Sequence, residues 1–309
     1  MLKRQLNLPM VDMDCIMNSI NHSIESEMPT NLQELHGKQV VFCNDRSMMP
    51  INGWDSVSDE VTIKRIDTID KDASVVGIDS SCILVGETPD GLIYAAKCSI
   101  VLAYSMSIIT NAKIGPIIFY INDENMSKSI DDGKRMIRSS LEHIAHSRVA
   151  EALSDSILLV DGTLRAYNIM ELCVNGNIPI GLSKSTSIKR IARISSSLTK
   201  DDYPCYADVT DILGIDRNGI STLLTKLSSN GIVMRVDMHE SMDASCSLGL
   251  LIANDTLHNG YPETLRLAHH TSIFTNTDLI CIKGFMKNDL GVKEVDGYNA
   301  RSILLGKLF

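Results

Sequence analysis

Hydrophobic and polar positions along this chain follow two rhythms, and the switches between them mark its elements. Leu6, Met10, Met13, Met17, Ile20 and Ile24 recur at four- and three-residue spacing, which predicts a helix with one apolar stripe. That stripe either closes the chain's own core or pairs two subunits. Residues from about 28 to 72, with Pro29, Pro50, Gly53 and Trp54, predict short irregular strands and loops. The sheet proper is expected from Val75. Cys82 to Glu87 reads as a following strand, Asp90-Gly91 as a hairpin turn, and Leu92 to Ser105 and Ile114 to Ile121 as further strands. Between about Asn125 and Leu153 the period changes: Ile130, Ile137, Leu141, Ile144, Val149 and Ala152 keep one helical face apolar. A strand to Asp161, a helix over Leu164 to Val174 and a strand over Ile178 to Leu182 follow. Farther on, the pattern predicts a helix over Asp211 to Gly231, strands at Ile232 to Met238 and Leu248 to Ala253, and a helix entered at Pro262. Strand-helix-strand order gives an α/β class with a mixed central sheet flanked by helices.

Two of these strands end alike. SILLVDGTL (156–164) runs four apolar residues into Asp161 before a Gly-Thr turn, and ASVVGIDSS (73–81) runs Val75, Val76 and Ile78 into Asp79. A carboxylate at the end of a buried strand needs a partner. Capping of the next helix would satisfy Asp161 alone. Two like charges delivered to one sheet repel and raise each other's pKa unless a divalent cation lies between them, so a metal site is the economical reading.

Composition narrows the class. The 309 residues are 44% hydrophobic and 22% charged, ordinary for a globular protein. The cysteines stand singly at 15, 43, 82, 98, 173, 205, 246 and 281, a pattern of reduced core thiols in a cytoplasmic protein, with no CxxC for zinc. No apolar run approaches the length of a membrane span. The formal net charge of −9 argues against a surface that coats nucleic acid. One stretch runs the other way: Lys184, Lys189, Arg190, Arg193 and Lys200 occur from 184 to 200 with no acidic residue. It is either a solvated helix face or a phosphate-contacting strip. In YPETLRLAHH (261–270), His269 and His270 diverge by about 100° on a helix, so at most one of them can face a given site.

GIDSS at 77–81, the helix carrying Glu142, LLVDGTL at 158–164, GLSKS at 181–185 and YPETLRLAHH at 261–270 occur in the order seen in NurA nucleases, which this chain resembles over about 73 to 285. The resemblance implies an RNase H-like core and a Mn2+- or Mg2+-dependent DNA nuclease with two ions per site. It implies 5′ to 3′ exonuclease and single-strand endonuclease action on single- and double-stranded DNA during end resection, beside a HerA-type hexameric ATPase. Carried over residue by residue, it makes Asp79, Glu142, Asp161 and His269 metal ligands and sets Lys184 close to the reacting phosphate. DGT replaces the family's DGS-like motif. Glu151, nearer to Asp161 in sequence, competes with Glu142 for the helix position. Lys189, Arg190 and Arg193 would line the DNA path of a homodimer. Residues 1–72 are then an N-terminal helix and irregular strands with dimer or partner contacts. Residues 73–309 form the nuclease domain, with a helical insertion at about 185–230.

Other chemistries fit less well. Actin-like ATPases and sugar kinases place Gly where Ser81 stands in GIDSS, and haloacid dehalogenase phosphatases place their nucleophile where Leu159 stands. A non-catalytic subunit of an ATPase complex would not need the intact acidic set.

Overall fold

The computed structural model describes residues 12–28, 30, 32–42, 61–122, 129–183, 192–213 and 218–295. Helix α1 (Met13–Glu27) leads to β1 (Gln39–Phe42) and β2 (Lys64–Arg65), then to three long strands, β3 (Ser74–Thr88), β4 (Gly91–Tyr104) and β5 (Ser107–Asn122). The long helix α2 (Ile130–Ala152), β6 (Ile157–Asp161), the short α3 (Ile169–Leu172) and β7 (Ile178–Ser183) come next. They are followed by α4 (Ala192–Lys200), β8 (Cys205–Asp208), β9 (Ile220–Lys226), β10 (Val233–His239) and α5 (Ala244–Asn254). A small hairpin of β11 (Leu257–His258) and β12 (Tyr261–Pro262) opens into α6 (Glu263–Ser272), and α7 (Asn276–Asn288) and β13 (Lys293–Glu294) close the described chain.

One mixed sheet runs β5-β4-β3-β6-β7-β10-β9-β8-β2, with β1 and β13 continuing from the far half of β3. Strands β3, β4 and β5 form an antiparallel meander, whereas β6 and β7 lie parallel to β3. That five-strand arrangement is the RNase H-like core expected from the sequence. Strand β3 carries two partners along one edge. Its ladder to β6 ends at Ile78 opposite Val160, and its ladder to β1 begins at Gly86. The edge between them is a notch in the sheet.

The pleat sorts the two faces of this core. Val76, Ile78, Leu158 and Val160 pack with Ile137, Leu141 and Ile144 of α2, and Ile16, Ile20 and Ile24 of α1 join the same cluster. The apolar stripe of α1 is thus covered by the protein's own core, with Ile20 fully buried. Val75, Ile157 and Leu159 face the other way, onto Leu248 and Leu251 of α5 and Leu265 of α6.

Two predicted elements change type. The residues expected to be helical over 211 to 231 include β9, and those expected as a strand over 248 to 253 lie inside α5. Both are buried nearly all round: Thr222, Leu223, Leu224 and Thr225 on β9, and Leu248, Gly249, Leu250 and Leu251 on α5. On β9 buried Thr222, Thr225 and Lys226 leave the apolar residues at helix-like spacing, Ile220, Leu223, Leu224 and the adjoining Leu227, and on α5 an apolar run without a polar face carries no period to distinguish strand from helix. The region assigned to a helical insertion at about 185–230 therefore holds one described helix, α4, and the strands β8 and β9. The helix expected over 164 to 174 is broken into short 3-10 turns around α3, and Cys82 to Glu87 continue β3 instead of forming a separate strand.

Helix α6 lies unusually close to β3 because position 77 has no side chain. A Cβ there would stand 2.6 Å from the backbone carbon of Thr264. Thr264 is fixed in turn by Asp255, whose Oδ2 accepts its hydroxyl at 2.6 Å and its backbone N–H at 3.3 Å. Burial pushes the Asp255 carboxyl up to about 6. The close contact sets the level of His269 on α6 relative to Asp79, two residues along from Gly77. Gly77→Ala is expected to force helix and strand apart, at a cost of about 1–3 kcal/mol of folding stability. Gly284→Ala in α7, where an added Cβ meets nothing within 4 Å, should be neutral or stabilising by about 0.5–1 kcal/mol. Urea unfolding of the two variants measures the contrast, and equal midpoints would refute the close-contact account.

Candidate metal centre

Past the last paired residues, Ile78 and Val160, β3 and β6 each present a carboxylate on the same face: Asp79 and Asp161. The parallel register sets them side by side at the notch, where β6 ends and β3 runs on. Helix α6 approaches this point from one face and supplies His269. Ligand-capable atoms of Asp79, Asp161 and His269 all lie within 4.8 Å of one another.

Asp79 is 2% exposed. Its Oδ2 is held by His269 Nδ1 at 2.8 Å and by the Ser272 hydroxyl at 3.0 Å. Its Oδ1 is buried and has no hydrogen-bond partner among the described residues. An ionised carboxylate only accepts, so in this contact Nδ1 is the donor. Asp161 Oδ1 has the Tyr261 hydroxyl 3.5 Å away, and burial together with Asp161 and Asp79 pushes that phenol's pKa up. His270, the neighbour of His269, is exposed.

Helix α2 reaches the notch from the opposite face. Glu142 Oε1 accepts the Ser80 hydroxyl at 2.6 Å and Arg138 Nη2 at 3.3 Å, while the Tyr167 hydroxyl lies 3.5 Å from Oε2. Burial raises the Glu142 pKa, and the nearby Asp79 adds to the rise against the lowering effects of Ser80 and Arg138. Beneath them the buried Cys98 thiol is pushed up by burial, then by Glu142 and Asp79. Glu151 lies elsewhere on α2, exposed and paired with Arg148 at 2.9 Å. Arg138 and Glu142 line, together with Asp161 and Thr163, a cleft of about 520 Å3.

Lys184, Lys189 and Arg190 lie outside the described residues, as does the side chain of Arg193, whose backbone belongs to α4. Sequence reasoning missed Arg138, Ser80 and Tyr167. For Arg138 a signal was present: it stands four residues before Glu142, on the same helical face.

The donor set suits a hard divalent cation. Carboxylate oxygens with one imidazole nitrogen are the ligands that Mg2+ or Mn2+ takes. A buried carboxylate oxygen without a hydrogen bond, as at Asp79, is costly unless a cation or proton meets it.

A family model described as the NurA domain matches residues 73–272. Among solved structures, the NurA nuclease from Sulfolobus solfataricus is similar with a TM-score of 0.50 at 12% identity, covering 93% of this chain and 98% of that chain. A NurA structure with manganese has a TM-score of 0.50 at 9% identity, over 89% of this chain and 96% of that chain. At these identities the likeness is one of fold. No curated protein gives a significant match.

The raised Glu142 pKa has a consequence for stability. A carboxyl whose folded pKa lies above its ordinary value of 4.5 holds more protons in the folded state than in the unfolded one between those two values. Its contribution is then present at low pH and declines as pH rises through the folded pKa. In metal-free buffer, Glu142→Gln should melt higher than the wild type at pH 7, with the difference shrinking below about pH 4.5. Thermal melts over this pH range check it, and a variant less stable at pH 7 than at pH 4, relative to the wild type, overturns the assignment of strain to Glu142.

Proposed function

The chain belongs to the NurA family, and from that premise we propose that it is a metal-dependent nuclease hydrolysing phosphodiester bonds of DNA. The observation that carries this reading is the convergence of Asp79, Asp161 and His269 at the notch of the sheet, with a buried carboxylate oxygen that no hydrogen bond among the described residues meets.

In this reading Asp79, Asp161 and His269 would hold the cation, Mn2+ or Mg2+. Bound there, it supplies the charge that acidifies a water toward neutral pH and offsets the charge of a phosphate oxygen. Glu142, whose Oε1 is engaged by Ser80 and Arg138, offers Oε2 to the same space as a further ligand, the role its family position implies. Asp79, itself held by the Ser272 hydroxyl, fixes the ring of His269, so that its orientation is set before any ligand arrives. Lys184 would place an ammonium on a non-bridging phosphate oxygen, which requires no change of protonation.

The finer features rest on the family resemblance: two ions per site, 5′ to 3′ exonuclease with single-strand endonuclease action, a homodimer and a HerA-type hexameric ATPase as partner. Lys189, Arg190 and Arg193 would line the DNA path in that assembly. The net charge of −9 supports delivery by a partner, since unaided grip on a long duplex comes mostly from neutralised phosphates. Of the amino-terminal stripe offered for pairing, Ile20 and Ile24 lie in the core, while Leu6 and Met10 lie outside the described residues. The cysteines at 15, 98, 173, 205, 246 and 281, which form no disulfide, suit a reducing, cytoplasmic location.

Digestion of end-labelled single- and double-stranded DNA with Mn2+, Mg2+ or chelator tests reaction, substrate and cofactor together. The wild type is expected to cut with Mn2+ and to stop in chelator. Asp79→Asn and Asp161→Asn should each lose at least about a hundredfold in rate with the fold retained, and Glu151→Gln should stay close to the wild type. Cleavage by either aspartate variant at the native rate sinks the site assignment. ATP hydrolysis by the isolated chain would favour the actin-like alternative.

A further inference from the structure

Arg138 sits where a cation belongs. Its Nη2 lies 3.3 Å from Glu142 Oε1 and 3.7 Å from the buried Asp79 Oδ1, the oxygen that no hydrogen bond meets. Among the described lysines and arginines the guanidinium is the one that reaches two carboxylates of the centre, yet its contact with Asp79 exceeds hydrogen-bond length. Its side chain is 44% exposed, so it can swing toward solvent at little cost in packing. We propose that Arg138 is the counter-ion of these carboxylates in the metal-free protein, and that it exchanges them for a substrate phosphate when a divalent cation enters. This rests on the nuclease reading above and gives it a binding residue for DNA.

Charge makes the exchange necessary. A guanidinium within 4 Å of the atoms that bind a divalent cation would face like charge at the same distance, a repulsion that the desolvated notch screens poorly. Space makes it possible. Arg138 is on the wall of the cleft that contains Asp161, in line with Lys134 and Arg135 on the same helix. Turned from the carboxylates into that cleft, its planar fork has the geometry for two phosphate oxygens. Purely structural ion pairing predicts a different outcome. An Arg that only ties α2 to β3 would stabilise the protein equally with and without metal, and its loss would leave cation affinity unchanged or lower.

The test uses the full chain, wild type and Arg138→Gln. Calorimetric titration with Mn2+ in the absence of DNA is expected to give about tenfold tighter binding for the variant, because no resident charge has to be displaced. In chelator the variant should melt below the wild type, and saturating Mn2+ should close that gap. At saturating Mn2+, its KM for a short single-stranded oligonucleotide should rise about tenfold, with Arg138→Lys intermediate because a point charge replaces the fork. Equal or weaker Mn2+ binding by Arg138→Gln overturns the counter-ion role, and an unchanged KM overturns the phosphate role. A wild type that binds Mn2+ but cuts no DNA refutes the nuclease reading and the phosphate role together, while the titration still decides the counter-ion role.

Discussion

Like charge held in a dry place is the constraint on which the rest of this structure turns. Asp79 is 2% exposed, and Asp161 and the mostly buried Glu142 converge on the same notch. Two unit charges about 4 Å apart at an effective dielectric of 20 interact by roughly 4 kcal/mol, well above the ~1 kcal/mol of an exposed ion pair. The chain therefore arranges partial compensation. His269 and Ser272 hold one oxygen of Asp79, Ser80 holds one of Glu142, and Arg138 stands between the two carboxylates. What remains uncompensated, chiefly Asp79 Oδ1, is the driving force available to a cation.

The frame that maintains this strain is the long strand β3. Because β6 stops at Asp161 while β3 continues to Thr88, the sheet itself opens the notch without a loop to build it. Helices on the two faces then reach one point, α2 with Glu142 and α6 with His269. Each is seated by features that have nothing to do with chemistry: the apolar face of α2 on Ile78 and Val160, and the close contact of α6 on Gly77. Sites built on such elements keep their geometry without ligand, which is what a centre of fixed repulsion requires.

Periodic elements were legible in the sequence wherever one face is polar. The apolar spacing of α2 and the Asp90-Gly91 turn between β3 and β4 were readable because water meets one side of each. Strand β9 and helix α5 were not, since both are enclosed: β9 buries Thr222, Thr225 and Lys226 with its leucines, and the apolar run of α5 fits either geometry. In the candidate site, the placement of Asp79 and Asp161 at matching strand ends followed from hydrophobic runs that stop at a carboxylate. The approach of His269 to Asp79 spans 190 positions in sequence, so no local pattern contains it, and only the family motif singled that residue out. Arg138 was overlooked because a basic residue on an exposed helical turn reads as solvated, and only the fold reveals that this turn faces a notch.

Charge placement also reconciles an acidic chain with an anionic substrate. The net charge of −9 sets the far field and disfavours adhesion to duplex surfaces. Contact is decided within a Debye length of about 8–10 Å, where local charges count individually. On the cleft wall, α2 carries Lys134, Arg135 and Arg138 beside Asp131, and Arg135 is already paired with Asp132 on the same helix. The basic residues there are too few and too balanced to grip many phosphates. They are sufficient to orient one or two next to the carboxylates.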